Sequence, residues 1–343
     1  MTPFIIPFFL SHQGCPHRCL YCNQHQSGGR RAEPLTSPGV TRGVEAGLSS
    51  SRLQPGASVE VAFYGGTFTA LSRDRQSALL GAVAPFLKRN LVQGIRLSTR
   101  PDALPCDEVE FLESMGVTTI EIGAQSMDDK VLEMSRRGHT ALDTREAAQR
   151  IKTAGLKLGL QLLPGLPGEN QASLESTLQG ILDLSPDEVR LYPALVIKGT
   201  PLAKLYQRGE YRPLTLEQAV EICAWMFKSL TRAGITVTRI GLQTSSELTQ
   251  GLMAGPHHPS LGHLVKAEIF YRAIASSLQI KPARGSDVTL FVAPRDVSQA
   301  QGHARSNLSR LSRDFGNLKI KIKPDPDQPR GLFRWQGEMF SVI

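Results

Sequence analysis

Six short apolar runs punctuate the chain up to Tyr192, and helical spacing fills the stretches between them. The runs are Phe4–Leu10, Val59–Tyr64, Ile95–Thr99, Thr118–Ile122, Leu156–Leu163 and Val189–Tyr192. Each is nearly continuous in Val, Ile, Leu or Phe, as expected for parallel strands buried on both faces. Apolar residues recur at helical intervals in Ser77–Lys88, Cys106–Met115, Asp128–Ser135, Ala141–Ala154 and Ser173–Leu184. Gly116 and Gly155 stand where C-caps are expected. Strand–helix alternation repeated six times predicts an α/β fold, either a βα barrel or a doubly wound sheet. Both place their sites at the carboxyl ends of the strands, where these runs give way to glycines and polar residues.

A length of 343 residues suits two domains, or one large barrel with an appendage, at about 150 residues per domain. With 41% hydrophobic and 20% charged residues, disorder is excluded as a whole-chain state. Beyond Tyr192 the alternation lapses into a loop at Pro193–Pro201, a long helix Thr215–Ala233 and one more strand, Ile235–Ile240. A Gly/Pro/His loop at Gly255–His263 and an apolar helix around Leu264–Ser277 follow. From Pro282 we read a small α+β tail with strand Val288–Val292, helix Ser298–Phe315, strand Leu318–Ile322 and a last run Leu332–Trp335. The expected organisation is a barrel over residues 1–240, an extension packed on it over 241–281, and a basic tail over 282–343.

The net charge is +8, with a pI near 9.4, which favours an anionic partner without being a nucleic-acid signature in itself. Residues 302–343 hold eight Lys/Arg against four Asp/Glu, half of that excess. Lys319, Lys321 and Lys323 share one strand face. That is the pattern of a solvated edge strand guarded against aggregation, or of an anion-binding face. No run approaches the ~18 apolar residues of a membrane span. Phe4–Leu10 lacks the flanks of a signal peptide, so a cytoplasmic location is expected.

Three of the five cysteines crowd into Gly14-Cys15-Pro-His-Arg-Cys19-Leu-Tyr-Cys22-Asn23, directly after the first strand. An odd count in this arrangement points to a metal or redox site in a reducing compartment and away from a disulfide scaffold. Three thiolates in one loop can hold three irons of a cubane cluster and leave the fourth without a protein ligand. The alternative is a Cys3His zinc site completed by His12, His17 or His25. Cys106 and Cys223 fall in predicted helices and read as structural thiols.

The CxxxCxxC spacing after a first strand, with Tyr21 just before the third cysteine, resembles the radical S-adenosylmethionine (AdoMet) superfamily, whose members use a partial (βα)6 barrel. Phe63-Tyr-Gly65-Gly66-Thr67-Phe68, at the end of the second strand, is similar to the family's glycine motif. Ser98-Thr-Arg-Pro-Asp102, Glu121-Ile-Gly-Ala-Gln125-Ser126, Arg136-Arg-Gly-His139-Thr140, Leu163-Pro-Gly-Leu-Pro-Gly168, Arg190-Leu-Tyr-Pro193 and Val196-Ile-Lys-Gly-Thr200 resemble the radical domain of the Elongator catalytic subunit. Arg239-Ile-Gly-Leu-Gln243 and Ala254-Gly-Pro-His-His258-Pro are closer to free-standing bacterial relatives that lack its acetyltransferase domain. The chain departs from the Elongator subunit in its short cysteine spacing. About sixty residues follow Pro282, so acetyl-CoA is not expected as a partner.

The resemblance implies a [4Fe-4S] cluster on Cys15, Cys19 and Cys22, with AdoMet chelated at the open iron. It implies adenine against the backbone of Tyr21, the methionyl amine against Gly65, Gly66 and Thr67, and Arg100 pairing with the AdoMet carboxylate. Gln125 and Gln161 would line the barrel toward ribose or substrate. Tyr192, Lys198, Gln243 and His258 are weaker candidates on the substrate side, and His257 shares the last one's loop. A tRNA base is the implied substrate, and flavodoxin or ferredoxin the implied electron donor. The competing readings are a relative of the oxygen-independent coproporphyrinogen oxidases, a haem or cluster carrier, and a zinc-stabilised RNA-binding module.

Overall fold

A computed structural model describes residues 3–24, 35–280 and 287–343. His25, the loop Gln26–Arg31 and the expected start of the tail at Pro282 lie outside the described residues. The chain divides into two compact units, Met1–Leu214 with Leu242–Pro256, and Thr215–Gly241 with His257–Ile343.

The first unit is built on β1 (Phe4–Phe9), β2 (Val59–Tyr64), β3 (Gly94–Thr99), β4 (Val117–Gln125), β5 (Lys157–Leu162) and β6 (Glu188–Leu191). All pair in parallel, each with its neighbour in chain order. That order is the one a βα barrel uses; a doubly wound sheet reverses direction part-way. The sheet also curls. Arg190 on β6 donates to the Tyr64 hydroxyl on β2 at 2.6 Å. Four strand spacings in a flat sheet would part these strands by ~19 Å. The unit is a partial (βα)6 barrel.

The helices between the strands are α1 (Ser37–Leu48), α2 (Arg73–Gly81), α3 (Ala84–Lys88), α4 (Cys106–Ser114), α5 (Asp129–Met134), α6 (Ala141–Thr153) and α7 (Gln171–Leu184). Thr140 with Asp143 and Asn170 with Ser173 form capping boxes that start α6 and α7. Gly116 and Gly155 take positive φ after α4 and α6, as their C-cap positions predict. The sequence reading has no α1, because its glycines weaken the helical signal. They have a packing reason: a Cβ on Gly43 would strike the Phe8 ring, and one on Gly47 would strike Ile6, so the helix lies close on β1. Ser77–Lys88, read as one helix, is two, with Pro85 in the first turn of the second.

One expectation is corrected. The strands are not apolar on both faces. Val61, Phe63, Ile95, Leu97, Ile120, Ile122, Leu158 and Leu160 are buried apolar positions, while Glu60, Arg96, Ser98, Thr119 and Glu121 alternate with them and are buried too. The concave face is polar, and the period of two is intact. A two-stranded sheet of β7 (Val196–Ile197) and β9 (Leu252–Ala254), with α8 (Pro201–Gln207) and α10 (Ser246–Gly251), completes the unit.

The second unit contains α9 (Leu216–Arg232), β8 (Thr236–Ile240) and α11 (Leu261–Ile280), followed by β10 (Asp287–Val292), α12 (Val297–Gln301), α13 (Ser306–Asp314), β11 (Lys319–Pro324), β12 (Leu332–Trp335) and β13 (Glu338–Ser341). The last four strands form one sheet in the order β11-β10-β12-β13. The helix read over Ser298–Phe315 is broken, with Gly302, Ala304 and Arg305 at positive φ between α12 and α13. Among the described residues no helix is long and apolar enough to cross a membrane.

Candidate active site

The loop after β1 and the loop after β2 are sealed against each other. Leu10 N–H donates to Tyr64 O at 2.8 Å, and Thr67 N–H to Gln13 O at 2.8 Å. Gly66 has φ +63, and a Cβ there would collide with the carbonyl oxygens of Gln13 and Leu10. Gly14, at φ +71, has the Thr67 carbonyl in the same position. Both glycines are therefore demanded by close backbone approach and by conformation. The Gln24 side chain ties the two loops, accepting from Gly66 N–H at 2.8 Å and from His12 N–H.

Cys15, Cys19 and Cys22 are all free thiols on this loop. Cys15 Sγ lies 3.4 Å from Thr67 Oγ1, so the cysteine loop meets the glycine loop through side chains as well. Cys19 is buried, and Arg137 Nη1 donates to its sulfur at 3.4 Å while Arg137 Nη2 holds Gly123 O at 2.7 Å. Burial pushes the Cys22 thiol up to about 12, the sulfurs of Cys19 and Cys15 push the same way, and the Arg137 cation opposes them. Tyr21 packs against Val131, Leu166 and Ala194.

The donor set has a bearing on which metal group it fits. Among the described residues no three His, Cys, Asp or Glu side chains are gathered to hold one metal ion. His12 Nε2 accepts from Gln24 N–H at 2.9 Å. His17 lies where a Cβ on Gly138 would be. Three separate thiols beside a buried cation suit a cubane, which takes one thiolate per iron and bears net negative charge.

Around this loop the strand ends converge. Gln125, last in β4, is buried at φ +69, and its Oε1 has no partner. Arg100, just past β3, is buried. Its Nε and Nη2 grip Asp102 at 2.8 Å each, and its Nη1 is unpaired. His139 is pushed down to about 3 by burial, then by the Arg137 and Arg100 cations, so the ring stays neutral with Nε2 3.2 Å from Ala124 O. The sequence reading quotes Arg137 in a motif and assigns it no role. The structure makes it the guanidinium at the cysteines, with Nε buried and unpaired.

The sequence profile of the radical SAM superfamily matches residues 10–181, and that of the radical SAM C-terminal domain matches residues 186–270. The chain belongs to the radical SAM superfamily. Its class is that of a radical SAM enzyme, with the substrate left open. It is 29% identical over 299 residues to the tRNA uridine(34) acetyltransferase of Methanocaldococcus jannaschii, covering 76% of this chain and 54% of the other. It is 31% identical over 189 residues to Elongator complex protein 3 of Homo sapiens, covering 48% and 34%. The chain spans about half the length of the tRNA uridine(34) acetyltransferases it matches. The solved structure of archaeal Methanocaldococcus infernus Elp3 with an N-terminal deletion shares the fold, at a TM-score of 0.61 and 24% identity over 83% of this chain and 65% of that one.

Beneath the radical SAM loops, the concave face of the sheet closes with a network of charges. Arg96 on β3 contacts Glu60 at 2.7 Å, Glu121 at 3.0 Å and Glu188 at 2.7 Å, drawing together β2, β3, β4 and β6. Arg190 binds Glu121 at 2.7 Å, and its guanidinium carbon lies 4.8 Å over the Tyr64 ring. Gln161 donates to Glu121 at 3.0 Å and to Ser98 at 3.3 Å, so this sequence candidate is held in the network. Tyr192 meets Arg190 Nη1 at 3.3 Å. Burial raises the Glu121 pKa, against the opposing pull of Arg190 and Arg96.

The other candidates on the substrate side fall in both units. Lys198 is exposed, and its carbonyl accepts from Asn23 Nδ2 at 3.1 Å, at the end of the cysteine loop. Gln243 is exposed. His257 and His258 belong to the second unit, where the His258 ring meets His303 at 5.4 Å. Cys106 is exposed at the start of α4, and Cys223 is buried in α9.

Proposed function

We propose that the protein binds a [4Fe-4S] cluster on Cys15, Cys19 and Cys22 and cleaves AdoMet reductively to abstract hydrogen from a tRNA base. The observation that carries this reading is the sealed cysteine–glycine loop pair with the buried Arg137 guanidinium on Cys19. When bound, the cluster and AdoMet together supply a 5′-deoxyadenosyl radical; the chemistry is theirs, and the protein's part is binding and orientation.

The chain's own residues take clear parts. The backbone carbonyls of Gly65, Gly66 and Thr67 would receive the methionyl ammonium, on a loop that Gln24 holds by the Gly66 N–H. Arg137 and the unpaired Nη1 of Arg100 supply positive charge for the carboxylate, with Asp102 fixing the Arg100 fork. Gln125 would offer its unpaired amide oxygen to a ribose hydroxyl, and the backbone near Tyr21 would hold the adenine. The Arg96–Glu121–Arg190 network ties the strands of the floor together. Gln161, through Glu121, holds that floor. A flavodoxin or ferredoxin delivers the electron. The tRNA substrate is inferred from the names of the relatives and from the basic charge, and the proposal is confined to the radical step.

The test is anaerobic reconstitution with iron and sulfide, then dithionite and AdoMet, with 5′-deoxyadenosine as the readout. Wild type should form it, faster with tRNA, and Cys19→Ala should not. Stoichiometric zinc without iron would overturn the reading. Iron uptake without cleavage, with or without tRNA, would favour a cluster carrier.

A further inference from the structure

The four-stranded sheet of the tail has one apolar face and one charged face. Register pairs Lys319 with Asp287, Lys321 with Thr289 and Lys323 with Phe291, and sets Phe291 opposite Arg334. The alternate positions Val288, Leu290, Val292, Ile322 and Phe333 are buried. Three exposed lysines therefore stand in a row on β11, about 6.6 Å apart. That step is close to the one between successive phosphates of an extended strand. At the end of the row the Arg334 guanidinium lies 4.6 Å over the Phe291 ring, and Asp325 holds it at 2.7 Å. The strands add one carboxylate to this face, Asp287, 3.7 Å from Lys321.

One lysine is enough to protect an edge strand. Three in a row, continued by an aromatic ring under a guanidinium, have the makeup of a stacking platform beside a phosphate track. We propose that this face binds single-stranded RNA, with Lys319, Lys321 and Lys323 taking successive phosphates and the Phe291–Arg334 pair stacking a base. The choice of RNA rests on the tRNA reading above; the binding itself does not require AdoMet cleavage. An acidic protein would use the lysines and leave the stacked pair idle.

The experiment is fluorescence anisotropy of the reconstituted full chain with a labelled RNA about 12 nucleotides long, at salt from about 50 to 200 mM. Lys319→Gln/Lys321→Gln/Lys323→Gln should weaken binding about tenfold or more. It should also flatten the log–log salt slope by about 2, at roughly 0.7 per phosphate on a single strand. Phe291→Leu keeps apolar volume and should lose about fivefold or more with the slope unchanged. Thermal melting by circular dichroism confirms that both variants fold, and AdoMet cleavage without RNA should match wild type. Unchanged affinity in the triple variant overturns the proposal. Wild-type binding by Phe291→Leu overturns the stacking platform, and equal binding of the matching DNA strand overturns the choice of RNA. Competition by polyglutamate as strong as by RNA reassigns the face to an acidic protein.

Discussion

At Gly66, two carbonyl oxygens occupy the volume a side chain would need, and φ is positive. Gly66→Ala should separate the cysteine and glycine loops and abolish AdoMet binding, measured by isothermal titration, at a stability cost above ~1 kcal/mol. Arg137 acts on the same loop by charge. Arg137→Met removes a cation and a hydrogen bond from Cys19, so the potential of the reconstituted cluster should move to more negative values in a redox titration followed by electron paramagnetic resonance. The cysteines and glycines could be read from sequence because coordination and positive φ each demand particular residue types at short spacing. Arg137 could not: its sulfur partner is 118 positions away, and no local pattern records such a pairing.

Among the elements, the strands carry the most informative pattern. Glu60, Arg96, Glu121, Gln161, Glu188 and Arg190 fall on one face of β2 to β6, a period of two that the apolar character of their neighbours masks. Glu121→Ala would leave Arg96 and Arg190 buried with one carboxylate fewer. Loss of about 3–5 kcal/mol is expected in urea unfolding. The loop after β5 makes a pH prediction. The Glu169 carboxyl accepts from Gly165 N–H, yet burial, with Asp128 adding to it, raises its pKa from 4.5 to about 7. The folded state therefore holds this proton more tightly than the unfolded one. The associated stability is full below about pH 4.5 and is lost as pH rises through about 7. Glu169→Gln should flatten stability across that window while keeping an acceptor for Gly165. The strands and most helix positions followed from periodicity, whereas the strand order, open between a barrel and a doubly wound sheet, was implied only by the family resemblance. α1 escaped because glycines chosen for contact with Phe8 and Ile6 lower helix propensity. The break between α12 and α13 escaped because Ala304 and Arg305 carry no signature of the left-handed backbone they adopt.

For the molecule as a whole, the division into two units allows the cluster's structural reach to be measured. Chelation of iron under air should raise hydrogen exchange in Gly14–Asn23 and Gly65–Thr67 and leave Val288–Val292 and Leu332–Trp335 unchanged. Exchange rising equally in both units would mean that the second unit depends on the cluster as well. The α/β class and the basic tail were legible in outline, since alternation and charge are bulk properties of a segment.

The charges beneath the active-site loops also bear on how such a protein can change over generations. Arg96 and Glu121 each hold several partners from different strands, so neither can drift alone without stranding a buried ion. Substitutions here are admissible mainly as coordinated sets, whereas exposed positions at the strand ends, such as Lys198, face no such rule. A lineage built on this scaffold inherits its floor as a block and explores new substrates by changing its rim.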